Sequence, residues 1–289
     1  MEFKDKGGYL ESRPIISVVM ATYNSVAFIN KAIESFLEQD LDSKELVIID
    51  GGSTDGTVEV LTALNLPEIR HISERDRGIY DAWNKGVKLA QGKWVHFLGS
   101  DDHYLAKNVL SSVAEILEVL PPQISMLSTS IVVQRGQQTI RHSPGTLEGT
   151  KFGILRSSTM KFSPHPGIFH RRSSFDALGF FDSDFKIAGD YELVARWLKS
   201  SDIFAKEDLS TVLMQGGGVS DRIKSSFNVL LELVRARRNN GLNPFDPAFF
   251  PVATRYALRG VLFKVFGEYA GSKILNNLVS TKKLIIPGS

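Results

Sequence analysis

The sequence predicts an α/β protein on a mixed, mostly parallel sheet flanked by helices, and three features point there. The runs 15–22 (IISVVMAT) and 45–49 (ELVII) are β-branched and almost continuously apolar, as in strands covered on both faces. Segments of helical period separate these runs, and aspartates stand where the runs end. The first run is a strand, after which Asn24 and Ser25 offer caps for a helix over about 26–39. In that helix Phe28, Ile29, Ala32, Ile33, Phe36 and Leu37 recur at helical spacing. The second strand ends at Asp50, and GGSTDGT turns the chain into a helix at 57–64. A short strand at 69–72, a helix at 79–90 and a strand at 93–98 (KWVHFL) follow, the last running into Gly99-Ser100-Asp101-Asp102.

After Pro121-Pro122 the pattern loosens. Strands are expected at 124–133, 137–141 and 167–170, an amphipathic helix at 188–200 and a last strand at 203–214. Gly216-Gly217-Gly218 is the clearest breaker in the chain, read either as a mobile loop or as a plain linker. Beyond it Phe227, Leu230, Leu231 and Val234 mark one helix, and 252–268 another. Trp83, Trp94 and Trp197 sit among apolar neighbours and read as core.

Composition narrows the function classes. The 289 residues are 43% hydrophobic and 23% charged, ordinary values for a folded chain and enough for a substantial core. The absence of cysteine excludes thiol catalysis, Cys-ligated zinc and iron–sulfur clusters, and fits a reducing compartment. No apolar run of spanning length and no secretory leader is visible, so a cytoplasmic location is expected. The net charge of +2 conceals an asymmetry: Asp221 to Ser289 carries 11 Lys/Arg against 4 Asp/Glu, while the rest carries 23 against 28. An acidic front and a basic tail result, and the acidic front with no recognition module argues against nucleic-acid binding.

Asp50, Asp76 and the pair Asp101-Asp102 lie at or just beyond strand ends, the edge of an open α/β sheet where ligands bind. Aspartate is also a common turn residue, but turn chemistry alone does not explain all of them on one edge. TYNSVAF after the first strand lacks the G-x-G-x-x-G of a dinucleotide site, and Thr57 stands where a P-loop needs lysine. Phosphates neutralised by a carboxylate-held divalent cation fit better.

The ordered motifs ISVVMATYN, LVIIDGGSTDGT and SERDRGIYDAWNKGVKLAQGKWVHFLGSDD resemble the family 2 glycosyltransferases, of the type that builds bacterial surface polysaccharides. The resemblance covers roughly residues 14–120 and continues more weakly through HPGIFHRRSSFDALGFFDSDFKIAGDYELVARW. It implies a GT-A-type, Rossmann-like sheet with a C-terminal helical extension. The implied division is a tail at 1–13, a catalytic domain at 14–215 and a basic helical extension at 216–289. The catalytic domain would split into a nucleotide-sugar-binding half, 14–120, and an acceptor half, 121–215.

By the same resemblance Thr22 and Tyr23 border the nucleobase and Asp50 accepts a hydrogen bond from it. Asp76, in the pattern E-x-D-x-G, faces the nucleoside, and Gly78 permits close backbone approach. Lys85 approaches the diphosphate, Asp101 the ribose, and Asp102 binds Mn²⁺ or Mg²⁺ on the diphosphate. Asp190 is the general base, with Glu192 as runner-up, and a single base without a covalent nucleophile implies inversion. Gly51 and Gly99 depart from the family pattern at positions where many members carry a further aspartate, which leaves the donor base less defined. His165 and His170 flank a stretch expected on the acceptor side, His165 as a metal or diphosphate contact or as a packed residue. Arg171-Arg172 is read as a solvated pair or as a contact to a lipid-linked acceptor.

The resulting expectation is transfer from a nucleotide-sugar donor, a UDP-sugar first, to a glycan or lipid-linked sugar acceptor. A non-catalytic nucleotide-sugar-binding protein and a metal-dependent nucleotidyltransferase remain the alternatives. The basic tail is either a helical cap packed on the domain or a peripheral attachment to an anionic membrane surface.

Overall fold

The computed structural model describes residues 13–144, 163–199, 204–218, 222–247 and 249–283. Almost all of the expected N-terminal tail and the last six residues of the extension lie outside these. The chain runs β1 (Ile16–Thr22), α1 (Ile29–Leu37), β2 (Lys44–Asp50), α2 (Thr57–Ala63), β3 (Ile69–Ser73), α3 (Ile79–Leu89) and β4 (Trp94–Phe97). It continues through β5 (His103–Tyr104), α4 (Val109–Val119), β6 (Met126–Arg135), β7 (Gln138–His142), β8 (Ile168–Arg171), α5 (Arg172–Leu178) and α6 (Gly189–Trp197). The strand β9 (Phe204–Gln215) and the helices α7 (Ser226–Asn239) and α8 (Phe250–Lys283) complete it.

The strands form one sheet ordered β3-β2-β1-β4-β8-β6-β9-β5, with β7 paired to β6. Strands β1 to β4 are mutually parallel, β6 pairs β9 in parallel over its length, and the remaining pairings are antiparallel. The chain steps outward from β1 to β2 to β3, then returns to β4 on the other side of β1. The C-terminal ends of β1 and β4 therefore flank a topological switch point, where such sheets bind ligands. β1 is buried on both sides, as its unbroken apolar run requires. Val18 and Met20 pack with α1 and α4, whereas Val19 packs with α3 and α6.

The sequence reading missed α4, whose Val109, Leu110, Val113, Ala114 and Leu117 are buried at helical spacing, and the short α5. It also misassigned the cap of α1. Helix α1 begins at Ile29 without a side-chain cap, because Asn24 and Ser25 bond to other loops. The last helix runs past 268, with a break at Gly267, whose φ of +75° lies outside the helical region. A third apolar cluster joins Ala188 to Val229 and Leu233 of α7 and to Phe249, seating the extension against the base of α6.

Candidate active site

Three strand-end loops are tied into one floor. Asn24, after β1, accepts at Oδ1 from the Thr54 N–H (2.9 Å), and its own N–H donates to Ser53 Oγ (2.7 Å). Asp55 accepts from the Val26 N–H at 3.0 Å and from the N–H and hydroxyl of Thr57. Ser100, after β4, donates to Ser25 Oγ at 3.1 Å. These short polar side chains stabilise turns by bonding nearby backbone, and here they also join one loop to the next.

Asp50 is fully buried at the end of β2 and holds this floor from below. Its carboxylate accepts from the Gly52 N–H (3.0 Å), the Ser53 N–H (2.9 Å), Ser73 Oγ (2.6 Å) and Ser53 Oγ. The structure thus places Asp50 as the anchor of the GGS turn. A Cβ built on Gly51 would lie 2.7 Å from Asp76 Oδ2 and 3.4 Å from the Tyr23 ring, so the bare glycine makes room for both side chains. Tyr23 is exposed, while Thr22 is buried with no hydrogen-bond partner for its hydroxyl. Asp76 Oδ1 accepts from the Gly78 N–H at 2.8 Å, and Gly78 has a φ of +126° that a side-chain-bearing residue rarely adopts.

Lys85 does not stand free for a diphosphate. Its ammonium pairs with Glu74 at 2.8 Å, donates to the Arg75 carbonyl at 3.1 Å and lies 3.8 Å from Asp81. It braces the loop that carries Asp76.

Asp101 and Asp102 lean over Gly99, where an added Cβ would meet Asp102 Oδ2 at 2.6 Å and Asp101 Oδ1 at 3.0 Å. Asp102 is buried and accepts from the Gln215 N–H at 2.9 Å. Burial, and next the Asp101 charge, push its pKa up to about 7; Asp101 is also shifted upward, by desolvation. Two carboxylates crowded over a glycine suit a hard divalent cation, which takes one or two protein carboxylates and fills its other positions with phosphate oxygens and water. Among the described residues no cluster of three or more metal-ligating side chains forms a closed protein cage. Gln215, which immediately precedes the Gly216–Gly218 run, is a partner that the sequence reading missed.

Asp190 lies in the first turn of α6 and is half-buried. Its Oδ1 accepts from the Tyr191 N–H at 2.8 Å and lies 3.4 Å from the Tyr80 hydroxyl, which itself donates to the Ile187 carbonyl at 2.7 Å. Desolvation raises its pKa above the usual carboxylate range, opposed by the Tyr191 and Tyr80 hydrogen bonds. Tyr80 is the second residue of α3, two positions after Gly78, and its ring rests on Gly189. Lys186 donates to the Arg77 carbonyl at 2.6 Å, a second stitch between the Asp76 loop and α6. Glu192, the runner-up, is buried, and its two oxygens meet the Arg196 guanidinium at 3.0 Å each.

Sequence reasoning missed the residue that shapes this turn. Glu232, on α7, accepts from the backbone N–H groups of Lys186 (2.9 Å), Ile187 (2.8 Å) and Ala188 (2.8 Å). On the same helix Arg237 is 1% exposed, donates to the Tyr191 hydroxyl at 3.1 Å and stacks on Phe249. Only the three-dimensional fold brings α7 to α6, so no local pattern announced these contacts.

Two further positions had alternative readings, and for His165 the structure matches the packed one. His165 stacks on Trp83 (4.7 Å between centroids) and packs near Phe97, with neither ring nitrogen bonded. Burial pushes its pKa down to about 3, so the ring is neutral where it packs among the aromatic side chains. Arg171 pairs with the start of β4, at the edge of the sheet opposite Asp101-Asp102. It donates to the Ile124 and Pro121 carbonyls and covers the Trp94 ring, while Arg172 donates to the Ala90 carbonyl.

The model of the family described as glycosyl transferase family 2 matches residues 17–190, more than half of the chain. The chain belongs to that family. It is 33% identical over 187 residues to a Mycobacterium tuberculosis PGL/p-HBAD biosynthesis glycosyltransferase, covering 63% of this chain and 69% of that one. It is 30% identical over 196 residues to the succinoglycan biosynthesis protein ExoO of Rhizobium meliloti, covering 64% and 56%. Among solved structures, S. aureus TarS 1–349 in complex with UDP-GlcNAc superposes with a TM-score of 0.60 at 18% identity, over 86% of this chain and 73% of that one. The mannosyltransferase PcManGT of Pyrobaculum calidifontis, in complex with GDP-Man and Mn²⁺, gives 0.61 at 18% identity over 94% and 81%. The fold is GT-A, and this family 2 member is a glycosyltransferase. The match ends at Asp190, so β9, α7 and α8 lie beyond the family model.

Proposed function

We propose that this glycosyltransferase moves a sugar, with inversion, from a nucleoside-diphosphate sugar to a hydroxyl of a lipid-linked glycan. The observation that carries the reading is the meeting of two loops at Tyr80: the Asp76–Gly78 turn on one side and the Asp190 turn on the other. The nucleoside lies against Tyr23 and Asp76, which close on the bare Gly51. UDP-GlcNAc in the TarS complex and the surface-glycan names of the relatives support a UDP-sugar and a bacterial surface polysaccharide. Asp102 would hold Mn²⁺ or Mg²⁺, with Asp101 beside it toward the ribose; when bound, the cation would stabilise the charge of the departing diphosphate as a Lewis acid.

As the sugar–phosphate bond lengthens, the sugar carbon gains oxocarbenium character and must be met from its opposite face. Asp190 lies on that side. Its raised pKa makes it a better proton acceptor than a free carboxylate, and Oδ2 carries no protein hydrogen bond among the described residues. The Oδ2 atom takes the proton of the incoming hydroxyl, while the Tyr191 N–H and the Tyr80 hydroxyl orient the carboxylate through Oδ1.

The test is nucleoside diphosphate release from a panel of nucleotide sugars with Mn²⁺ and lipid-linked acceptors. Asp190→Asn is expected to bind donor as the unmodified chain does, with turnover lower by about 10²–10⁴-fold. Full turnover by Asp190→Asn overturns the base assignment. No release from any donor by folded protein overturns the reading as a whole.

A further inference from the structure

The C-terminal helices present two unlike faces. Inward, Ala253 and Tyr256 of α8 join Val229 and Leu233 of α7, Arg259 donates to Ser226 Oγ at 3.3 Å, and Phe227 fills the space beside Gly260. Outward, a surface helix ordinarily carries polar groups. Here Phe250, Leu258, Val261 and Val265 are exposed by 56, 46, 50 and 64%, and their spacing keeps them in one stripe. Phe266 and Tyr269, also exposed, carry the apolar surface past the break at Gly267.

Charge decides what covers this stripe. At 100° per residue, Arg255 and Lys264 fall on its opposite flanks; both are exposed, and the Lys264 ammonium also lies 5.1 Å from the centre of the Phe227 ring. Among the described residues of the extension, seven exposed Lys/Arg stand against one exposed carboxylate, Glu268. A second copy of the chain packed on this stripe would bring a second Arg255 and Lys264 into the same contact, with no exposed carboxylate of α8 but Glu268 to offset them. No helix among the described residues is long and apolar enough to cross a membrane.

We propose that the outward face of α8 docks this chain on an anionic lipid surface. The apolar side chains enter the boundary between headgroups and acyl chains, and the flanking cations meet the lipid phosphates. The inward face gives the docking a consequence, because Glu232 of α7 holds the turn that carries Asp190. Docking therefore fixes the Asp190 side of the cleft relative to the lipid surface. That consequence rests on the proposed reading of Asp190 as the base; the docking does not.

Co-sedimentation of the intact chain with phosphatidylglycerol–phosphatidylcholine vesicles, and with pure phosphatidylcholine vesicles, tests the proposal. Binding is expected with the anionic vesicles alone and is expected to weaken at least tenfold in high salt. The exposed-site double variant Val261→Asp/Val265→Asp, and separately Arg255→Glu/Lys264→Glu, should each lose at least tenfold in vesicle binding. Release of nucleoside diphosphate in solution should stay unchanged in the charge-reversal pair, which lies outside the cleft. A chain that stays in the supernatant with anionic vesicles, or variants that bind as the unmodified chain does, overturns the proposal. A dimer in light scattering that Val261→Asp/Val265→Asp dissolves assigns the stripe to a second copy instead, and overturns it equally.

Discussion

On one side of the cleft, Tyr23, Gly51, Asp76 and Asp101-Asp102 each stand in a loop that follows a parallel strand, and those loops bond directly to one another. On the other side, Asp190 is placed by Tyr80, 110 residues earlier, and by Glu232, more than 40 residues later. The first side is a property of strand order, so each functional residue lies within a few positions of a strand end. The second is assembled by tertiary contacts, among them an extension beyond the family model. Damage to the first side should act at single atoms; damage to the second should spread through a hinge.

After Asp190→Asn, the largest effect is expected where a single methyl enters the strand-end side. Gly99→Ala would place its Cβ within 2.6 Å of Asp102 Oδ2, and Gly51→Ala within 2.7 Å of Asp76 Oδ2. Neither glycine has a left-handed φ, so backbone strain is not the cause. Misplacing a catalytic group by about 1 Å costs on the order of 10²-fold. Gly99→Ala should lose that much in kcat/KM together with Mn²⁺ affinity measured by calorimetry. Gly51→Ala should lose a similar factor through donor KM, with Mn²⁺ affinity intact. Equal loss of metal in both variants would break the division between a nucleoside pocket and a cation pocket.

The same division explains what could be read from the sequence. Buried parallel strands announce themselves as apolar runs, and the carboxylates after 45–49 and 93–98 follow those runs in register. Asp50 illustrates the limit. Its position was legible, but its four hydrogen bonds were not: three come from the turn and one from Ser73 of a different strand. Lys85 and His165 show the same limit for chemistry. A lysine between Asn84 and Gly86 and a histidine beside Pro166 carry no local sign of the Glu74 pairing or of the Trp83 stack. Glu232 sits in an amphipathic helix among ordinary surface positions and had no sequence signal at all.

A smaller effect, of a different kind, is expected from Glu232→Gln. The carboxylate accepts three backbone N–H groups, and an amide has a single acceptor oxygen to replace it. Glu232 is a positioning residue, so the expected result is a kcat lower by about tenfold with donor affinity unchanged. Its charge also helps to raise the pKa of Asp190. Removing that charge lowers the pKa, so the acid limb of the kcat profile should move to lower pH. Glu232→Asp should restore most of the turnover. A uniform loss of stability, with kcat and its pH profile unchanged in the remaining folded protein, would make Glu232 structural only.

The smallest effect on activity is expected at His165, and its effect on stability has a definite sign. Desolvation holds His96 at about 4 and His165 at about 3, against an ordinary value of 6.5, and places His170 well below it. Above pH 6.5 these rings are neutral in the folded and unfolded chains alike, and stability does not depend on them. Below pH 6.5 the unfolded chain takes up protons that the folded core refuses, so stability falls until the folded pKa values are reached. For His96 alone the loss by pH 4 is about 3 kcal/mol. Replacing His165 with phenylalanine keeps an aromatic ring between Trp83 and Phe97 and sacrifices no hydrogen bond. The variant should therefore match the unmodified chain in Mn²⁺ affinity and donor KM, and lose less stability between pH 6.5 and 4 in urea titrations. Loss of Mn²⁺ binding in His165→Phe would return this histidine to the cation site and move the boundary between the two sides of the cleft.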